Sequence, residues 1–532
     1  MLAGTLTDAA YRGGVIGLLA ALTGCTDPHE APPEGVMVVV QEQQGAWIRN
    51  FNPLLATGGA RWPTRAGIYE PLQIYSAPQG RWVPWLGRTW SWSEDGRALD
   101  LVLRHDVRWS DGEAFAADDV AFTFELLREH PALDDAGVWR FLERVEVVHD
   151  HRVRFHFSKL FVPGKDKLAG QNIVPEHVWS HIEDPVSWAN PDPVGTGPFT
   201  EVLAFTSQSW ELGRNPHYWQ ELGFDAMRFP AMPSNEQINL ALVREELDWT
   251  GTFVPAIERV FVEQDPEHNH YWFPLYGNTV FLYANTERGP WGSREVRQGL
   301  SMAIDRERLS RVAMHGYTVP ADRTGLPEGP WRDPELAGPL EQNAAWAARI
   351  LGEVDGSYEL NVVSGWSDWV VAAQILARDL QAAGLDVRVR AYDFGAWFEK
   401  LTRGDFDLSL GWSQEGPSPY DFYGGLLGEQ AYKPLGESAS TNWHRYVSAD
   451  GDRLLTAFEG AVAEDVQHQL MRSLQQVFVD ELPAVPLFPS PSWGECRTER
   501  FVGWPSPDDP YARLSPHAHG EALLVMTRVR AR

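Results

Sequence analysis

A chain of 532 residues with a formal charge of −28 and 43 % hydrophobic content is too long for a peptide module and too apolar to stay disordered. Its acidity repels phosphate backbones, which excludes nucleic acid as a partner. Tryptophan occurs 24 times against 8 methionines, so something in the molecule calls for flat aromatic faces.

At the N-terminus, Gly13 to Leu22 is small and apolar, Arg12 is the nearest positive charge, and Leu22-Thr23-Gly24-Cys25 follows. The pattern resembles a bacterial lipoprotein signal, with residues 1–24 removed and Cys25 lipidated. Residues 25–35, rich in Pro and Glu, read as a tether. Cys25 and Cys496 are the only cysteines, too few for a disulfide framework and unpaired for zinc. No later stretch is apolar enough to span a bilayer.

The body begins at the valine-rich run Val36 to Val40, the mark of a fully buried strand. Ile68-Tyr69, Trp82 to Leu86 and Leu99 to Arg104, separated by turn sequences, predict antiparallel strands. Ala117 to Arg128 puts Val120, Phe124 and Leu127 on one helical face behind Asp118-Asp119, and Leu142 to Val148 with Val153 to Phe157 predicts another strand pair. Arg294 to Leu309 predicts one packed helix. From Tyr358 the order is strand (Tyr358 to Val363), helix (Val370 to Ala383), strand (Leu385 to Tyr392), helix (Gly395 to Thr402), strand (Phe406 to Leu410). That alternation predicts a parallel α/β sheet with right-handed crossovers.

In open α/β sheets ligands lie beyond the carboxyl ends of strands. That rule selects Trp366, Asp368 and Trp369 after one strand, and Trp412, Gln414 and Glu415 after another. Asn442-Trp443-His444 repeats the pairing of aromatic and amide, as does Trp62 after the Thr57-Gly58-Gly59-Ala60 loop. Indole faces beside amides and carboxylates suit a sugar, which has an apolar C–H face and a rim of hydroxyls. A peptide instead needs its charged termini captured, and the residues alone leave both open. Catalysis is not indicated, since phosphate-loop, His-Glu-x-x-His and Gly-x-Ser-x-Gly patterns are absent. His149, His151 and His156 fit surface strand positions, and His517 and His519 lack a carboxylate or Cys partner in sequence. No metal and no cofactor is expected.

Several motifs together carry a family resemblance. They are Tyr69-Glu70-Pro71-Leu72, Trp82-Val83-Pro84-Trp85-Leu86, Val107-Arg108-Trp109-Ser110-Asp111-Gly112, Pro193 to Phe199, Arg214-Asn215-Pro216 and Leu482 to Leu487. In order along the chain they resemble family 5 solute-binding proteins, the large extracytoplasmic receptors of ABC importers. Ser364 to Trp369, Gly411 to Pro417, Asn442 to Tyr446 and Pro489 to Glu495, which contains Trp493, look most like the branch that binds cello-oligosaccharides. The resemblance implies an α/β, two-lobed periplasmic-binding-protein fold of type II in its large three-domain form, with the ligand cleft between hinged lobes. The first lobe is expected at 36–63, 181–275 and 497–532, an extra domain at 64–180, and the second lobe at 276–496. It further implies a monomeric, lipid-anchored receptor in the periplasm or on the outer face of the cytoplasmic membrane. Such a receptor hands an oligosaccharide unchanged to ABC permease subunits. Trp faces would cover sugar rings while Asn442, Gln414, Glu415 and Asp368 hold hydroxyls. The alternative is an oligopeptide or dipeptide receptor of the same family, with Glu415 gripping the ligand's ammonium.

Overall fold

The computed structural model describes residues 33–55 and 64–532. Cys25, the signal sequence, most of the tether and Trp62 lie outside the described residues. Val36–Val40 is buried throughout because it is paired on both edges, to Ala226–Pro230 and to Trp249–Thr250, both parallel. Its alternating side chains feed two cores: Met37 and Val39 join the main one, while Val38 and Val40 meet Ile238, Leu242 and Phe261. This strand is central to a seven-stranded sheet that also takes Phe199–Phe205, Ser209–Arg214, Asn269–Tyr271 and Glu495–Arg497. Asp248 ties its start to the C-terminal segment, accepting from Val38 N at 2.8 Å and pairing with Arg500 at 3.0 Å. Glu495–Arg497 straddles the boundary expected between 496 and 497 and belongs wholly to this sheet.

The second sheet has five strands, in the order Asp386–Tyr392, Ser357–Val363, Leu408–Trp412, Thr279–Ala284, Val485–Pro489. The first three run parallel, as their helical crossovers Ser367–Ala382 and Phe394–Arg403 require. The last two pair antiparallel, so the sheet is mixed rather than parallel. A separate four-stranded antiparallel sheet, Gly87–Trp92, Ala98–Leu103, Arg152–Phe157 and Leu142–His149, packs under the helix Ala117–Glu129. Asp119 begins that helix, accepting from Ala116 N at 2.9 Å and Trp109 Nε1 at 3.1 Å.

Three further expectations need correction. Ile68-Tyr69 is not a strand: Thr64–Ile68 forms a wide helical turn. The Gly195-Thr196-Gly197 loop clamps it so closely that a Cβ on either glycine would collide with the carbonyl oxygens of Gly67 or Ile68. The helix from Arg294 stops at Ala303, and Asp305 caps a new turn through Arg308 N at 2.9 Å. The break lets buried Arg306 reach Pro486 O at 2.8 Å and Ser301 O at 2.9 Å, tying helix to sheet. The strand expected to end at Leu410 runs Leu408–Trp412, so the pleat rather than a loop aims Trp412.

The two large sheets are joined by paired extended segments. Trp272 N donates to Gly494 O, Ser492 N to Pro274 O and Ser490 N to Asn278 O, each at 2.9 Å. Residues of the segment expected as the extra domain reach across to the second lobe: Lys167 meets Asp421 at 2.8 Å, and Arg140 Nη1 reaches Gln430 Oε1 at 2.9 Å. The molecule is two-lobed.

Candidate functional site

Between the lobes lies a cavity of about 330 Å3, at the carboxyl ends of the second sheet's parallel strands. One wall is aromatic. Trp366 stands at the start of the helix Ser367–Ala382, Trp369 one turn in, and Trp412 at the end of its strand. Trp366 and Trp369 meet edge to face at 4.9 Å, and Trp412 lies 6.2 Å from Trp366 and 6.3 Å from Trp369. Phe398 runs parallel to Trp412 at 6.1 Å and to Phe394 at 5.6 Å. Trp366 and Trp412 stay half-buried, so both rings turn surface toward the cavity.

The opposite side is polar. Gln41, Thr252 and Asn278 line the cavity, and Gln41 Oε1, Thr252 Oγ1 and Asn278 Oδ1 are buried without a hydrogen-bond partner among the described residues. Orphaned buried polar atoms are costly, and a turn of these side chains toward the cavity would let the hydroxyls of a ligand pair with them. The two sides are stitched at the rim: Trp366 Nε1 donates to Gln43 Oε1 at 2.7 Å, Gln43 in turn bonds Asn235, and Asn235 Nδ2 donates to Ser367 Oγ at 3.2 Å. Asp368 lines the same cavity fully buried. Desolvation pushes its carboxyl up to about 7, against the opposing pull of the Trp369 backbone and Asn235. Trp493 sits in the hinge, edge-on to Phe253 at 5.4 Å and Phe273 at 4.8 Å.

Glu415 faces the cleft but is not free. Arg513 donates to it through Nη1 at 3.0 Å and also pairs with buried Glu521. Burial alone would lower the Arg513 pKa, yet Glu415 and Glu521 outweigh it and hold it above its ordinary value. Beyond this pair a second chamber of about 750 Å3, which Gln414 lines, opens toward Tyr75, Trp82 and Trp331, and a third of about 270 Å3 opens toward Lys167.

Two expected contacts are corrected. The Asn442 amide is spent on its own turn, accepting from Tyr446 N at 2.9 Å and donating to Tyr446 O at 2.6 Å, which holds Asn442 at a φ of +49°. Trp443 is 2 % exposed and lies behind Trp412, edge-on at 5.4 Å, with its Nε1 bonded to Ala439 O. It supports the wall without facing the cavity. Sequence reasoning missed Phe394 and Phe398, whose signal was the aromatic run Phe394-Gly395-Ala396-Trp397-Phe398. It also missed Gln41, Thr252 and Asn278, which carry no local signal. Among the described residues, no group of three or more His, Cys, Asp or Glu is placed to hold a metal ion.

Residues 81–434 match the family described as bacterial extracellular solute-binding proteins, family 5, middle region. The chain belongs to that family. Its members are solute receptors of ABC importers rather than enzymes. Di/tripeptide-binding protein 1 of Pseudomonas aeruginosa is 23 % identical over 82 % of this chain and 86 % of its own length. The solved structure of a mannohexaose-bound periplasmic oligopeptide-binding protein from Thermotoga maritima superposes with a TM-score of 0.87 at 22 % identity, covering 94 % of this chain and 99 % of that one. The oligopeptide-binding protein AppA of Bacillus subtilis, solved with a nonapeptide, gives 0.79 at 18 % identity, over 94 % and 100 %. These likenesses give this family 5 receptor its fold: a two-lobed periplasmic-binding-protein architecture.

Proposed function

We propose that the solute is an oligosaccharide of the β-glucan or cello-oligosaccharide type, held between the aromatic wall and the unpartnered acceptors and presented to an ABC permease. The observation that carries this reading is the pairing of Trp366, Trp369 and Trp412 with Gln41, Thr252 and Asn278 across one cavity. Indole faces cover the apolar face of a pyranose ring, and its hydroxyls supply the missing donors. Closure follows because the ligand touches both lobes only when they are shut, which biases the open–closed equilibrium. The mannohexaose-bound neighbour lends the reading support from a protein of the same shape. Lipidation at Cys25 would hold the receptor outside the cytoplasmic membrane.

A peptide ligand is the second reading, favoured by the di/tripeptide-binding relative. Against it stands the engagement of Glu415 by Arg513, which fills the place where a peptide's ammonium would pair. Thermal shift decides between them, since a ligand at 100 times its Kd adds about 2.7 kcal/mol of stability. Cellobiose to cellopentaose should raise the melting temperature and di- to pentapeptides should not. If peptides alone raise it, the sugar reading is wrong.

A further inference from the structure

We propose that Arg65 binds a carboxylate of the ligand, so that the solute taken by this cleft is an acid-bearing oligosaccharide, one ending in or branched with a uronic acid. This rests on the cleft reading above and narrows it. Arg65 and Glu415 are the two residues that line all three chambers, so they mark the neck where the chambers meet. They come from opposite sides of the cleft: Arg65 lies on the turn Thr64–Ile68, packed against Phe199–Phe205 and the helix His519–Arg528, and Glu415 follows the strand Leu408–Trp412.

Their charges are handled differently. Glu415 is neutralised by Arg513, which is itself held by Glu521. Arg65 is half-buried, yet its guanidinium has no hydrogen bond or ion pair among the described residues. Its main chain is fixed, since Asn172 Nδ2 donates to Arg65 O at 3.4 Å. Burial lowers its pKa, with the charge of Asp135 opposing. A guanidinium removed from water without a partner is unfavourable, and its forked donors match a carboxylate in a bidentate pair. An ammonium brought to the same neck would meet Arg65, while the Glu415 carboxylate there is already engaged by Arg513. A sugar stacked on the tryptophan wall extends toward this neck, and a carboxylate on it supplies the charge that Arg65 lacks.

Calorimetry on the purified protein tests this with cellotriose, with cellobiose carrying a terminal glucuronic acid, and with trialanine and its C-terminal amide. The acidic sugar should bind more tightly than cellotriose by on the order of tenfold to a hundredfold. Arg65→Gln should erase that advantage while leaving cellotriose affinity within about threefold, and Arg65→Lys should restore part of it. Should Arg65→Gln not fold, the wild-type advantage must still shrink as salt is raised from about 0.05 M to about 0.5 M. Equal binding of acidic and neutral sugars overturns the assignment but leaves the sugar reading standing. If no sugar binds and trialanine does, with a loss on amidation that Arg65→Gln abolishes, the sugar reading falls and Arg65 remains a carboxylate receptor. If no carboxylate ligand outbinds its neutral counterpart, Arg65 has no such role.

Discussion

Replacing Trp412 by alanine should separate ligand contact from scaffold. Its indole runs parallel to Phe398 in the aromatic wall and stays half-buried where it lines the cavity. A whole aromatic side chain buries about 150–250 Å2, so one face offers roughly 70 Å2 to a sugar ring. At about 25 cal/mol per Å2 this amounts to about 1.8 kcal/mol, or a roughly twentyfold loss of affinity on truncation. Phenylalanine at the same position keeps a smaller face and should lose about fivefold or less. The control is Trp443→Phe. That residue is 2 % exposed and supports Trp412 edge-on, and the substitution removes the Nε1 bond to Ala439 O at 3.1 Å. It should lower stability by about 1–3 kcal/mol with affinity unchanged within about threefold. Isothermal titration with cellotriose, run beside thermal melts, reads both quantities. If Trp412→Ala binds cellotriose as tightly as the parent, or if Trp443→Phe weakens binding as much, the tryptophan wall is not the sugar platform.

The pH dependence of stability has a definite sign. Burial raises Glu495 from 4.5 to about 8, and the Thr250 hydroxyl and Thr252 N–H bonds only partly offset it. A carboxyl whose folded pKa lies above its unfolded one stabilises the native state fully below pH 4.5 and loses that contribution as pH rises through about 8. Melts should therefore fall by a few kcal/mol between about pH 5 and pH 9. Glu495→Gln should flatten the fall in part, since Glu70 and Asp368, each raised to about 7 by burial, titrate in the same window; a parent melt that is flat over this range contradicts the assignment. Arg513→Gln leaves Glu521, whose side chain is 2 % exposed, without its counter-ion and should cost about 3–5 kcal/mol in denaturant melts. Adding Glu521→Gln should recover most of that loss, and a double variant no more stable than the single would show that the pair is not what matters. Cys25→Ser should shift the protein from the membrane fraction to the soluble extracytoplasmic fraction, and unchanged membrane retention would rule out a lipid anchor at that residue.

Much was legible before any coordinates. Runs such as Val36–Val40 and the alternation from Tyr358 to Trp412 encode buried strands and crossovers because periodicity is a local property of the chain. The rule that ligands lie at strand ends pointed to Trp366, Trp369 and Trp412 without further help. The pairing of aromatic and amide misplaced Asn442 and Trp443, because whether an amide bonds its own turn or a ring sits one layer back depends on a residue's spatial neighbours. Tertiary structure alone set Gln41, Thr252 and Asn278 opposite the aromatic wall, from three segments far apart in the chain. It also gave Glu415 to Arg513, 98 residues away, and left Arg65 at the neck without a partner among the described residues. Charge pairing is settled by distances that only the folded chain fixes, whereas burial patterning is written along the sequence itself.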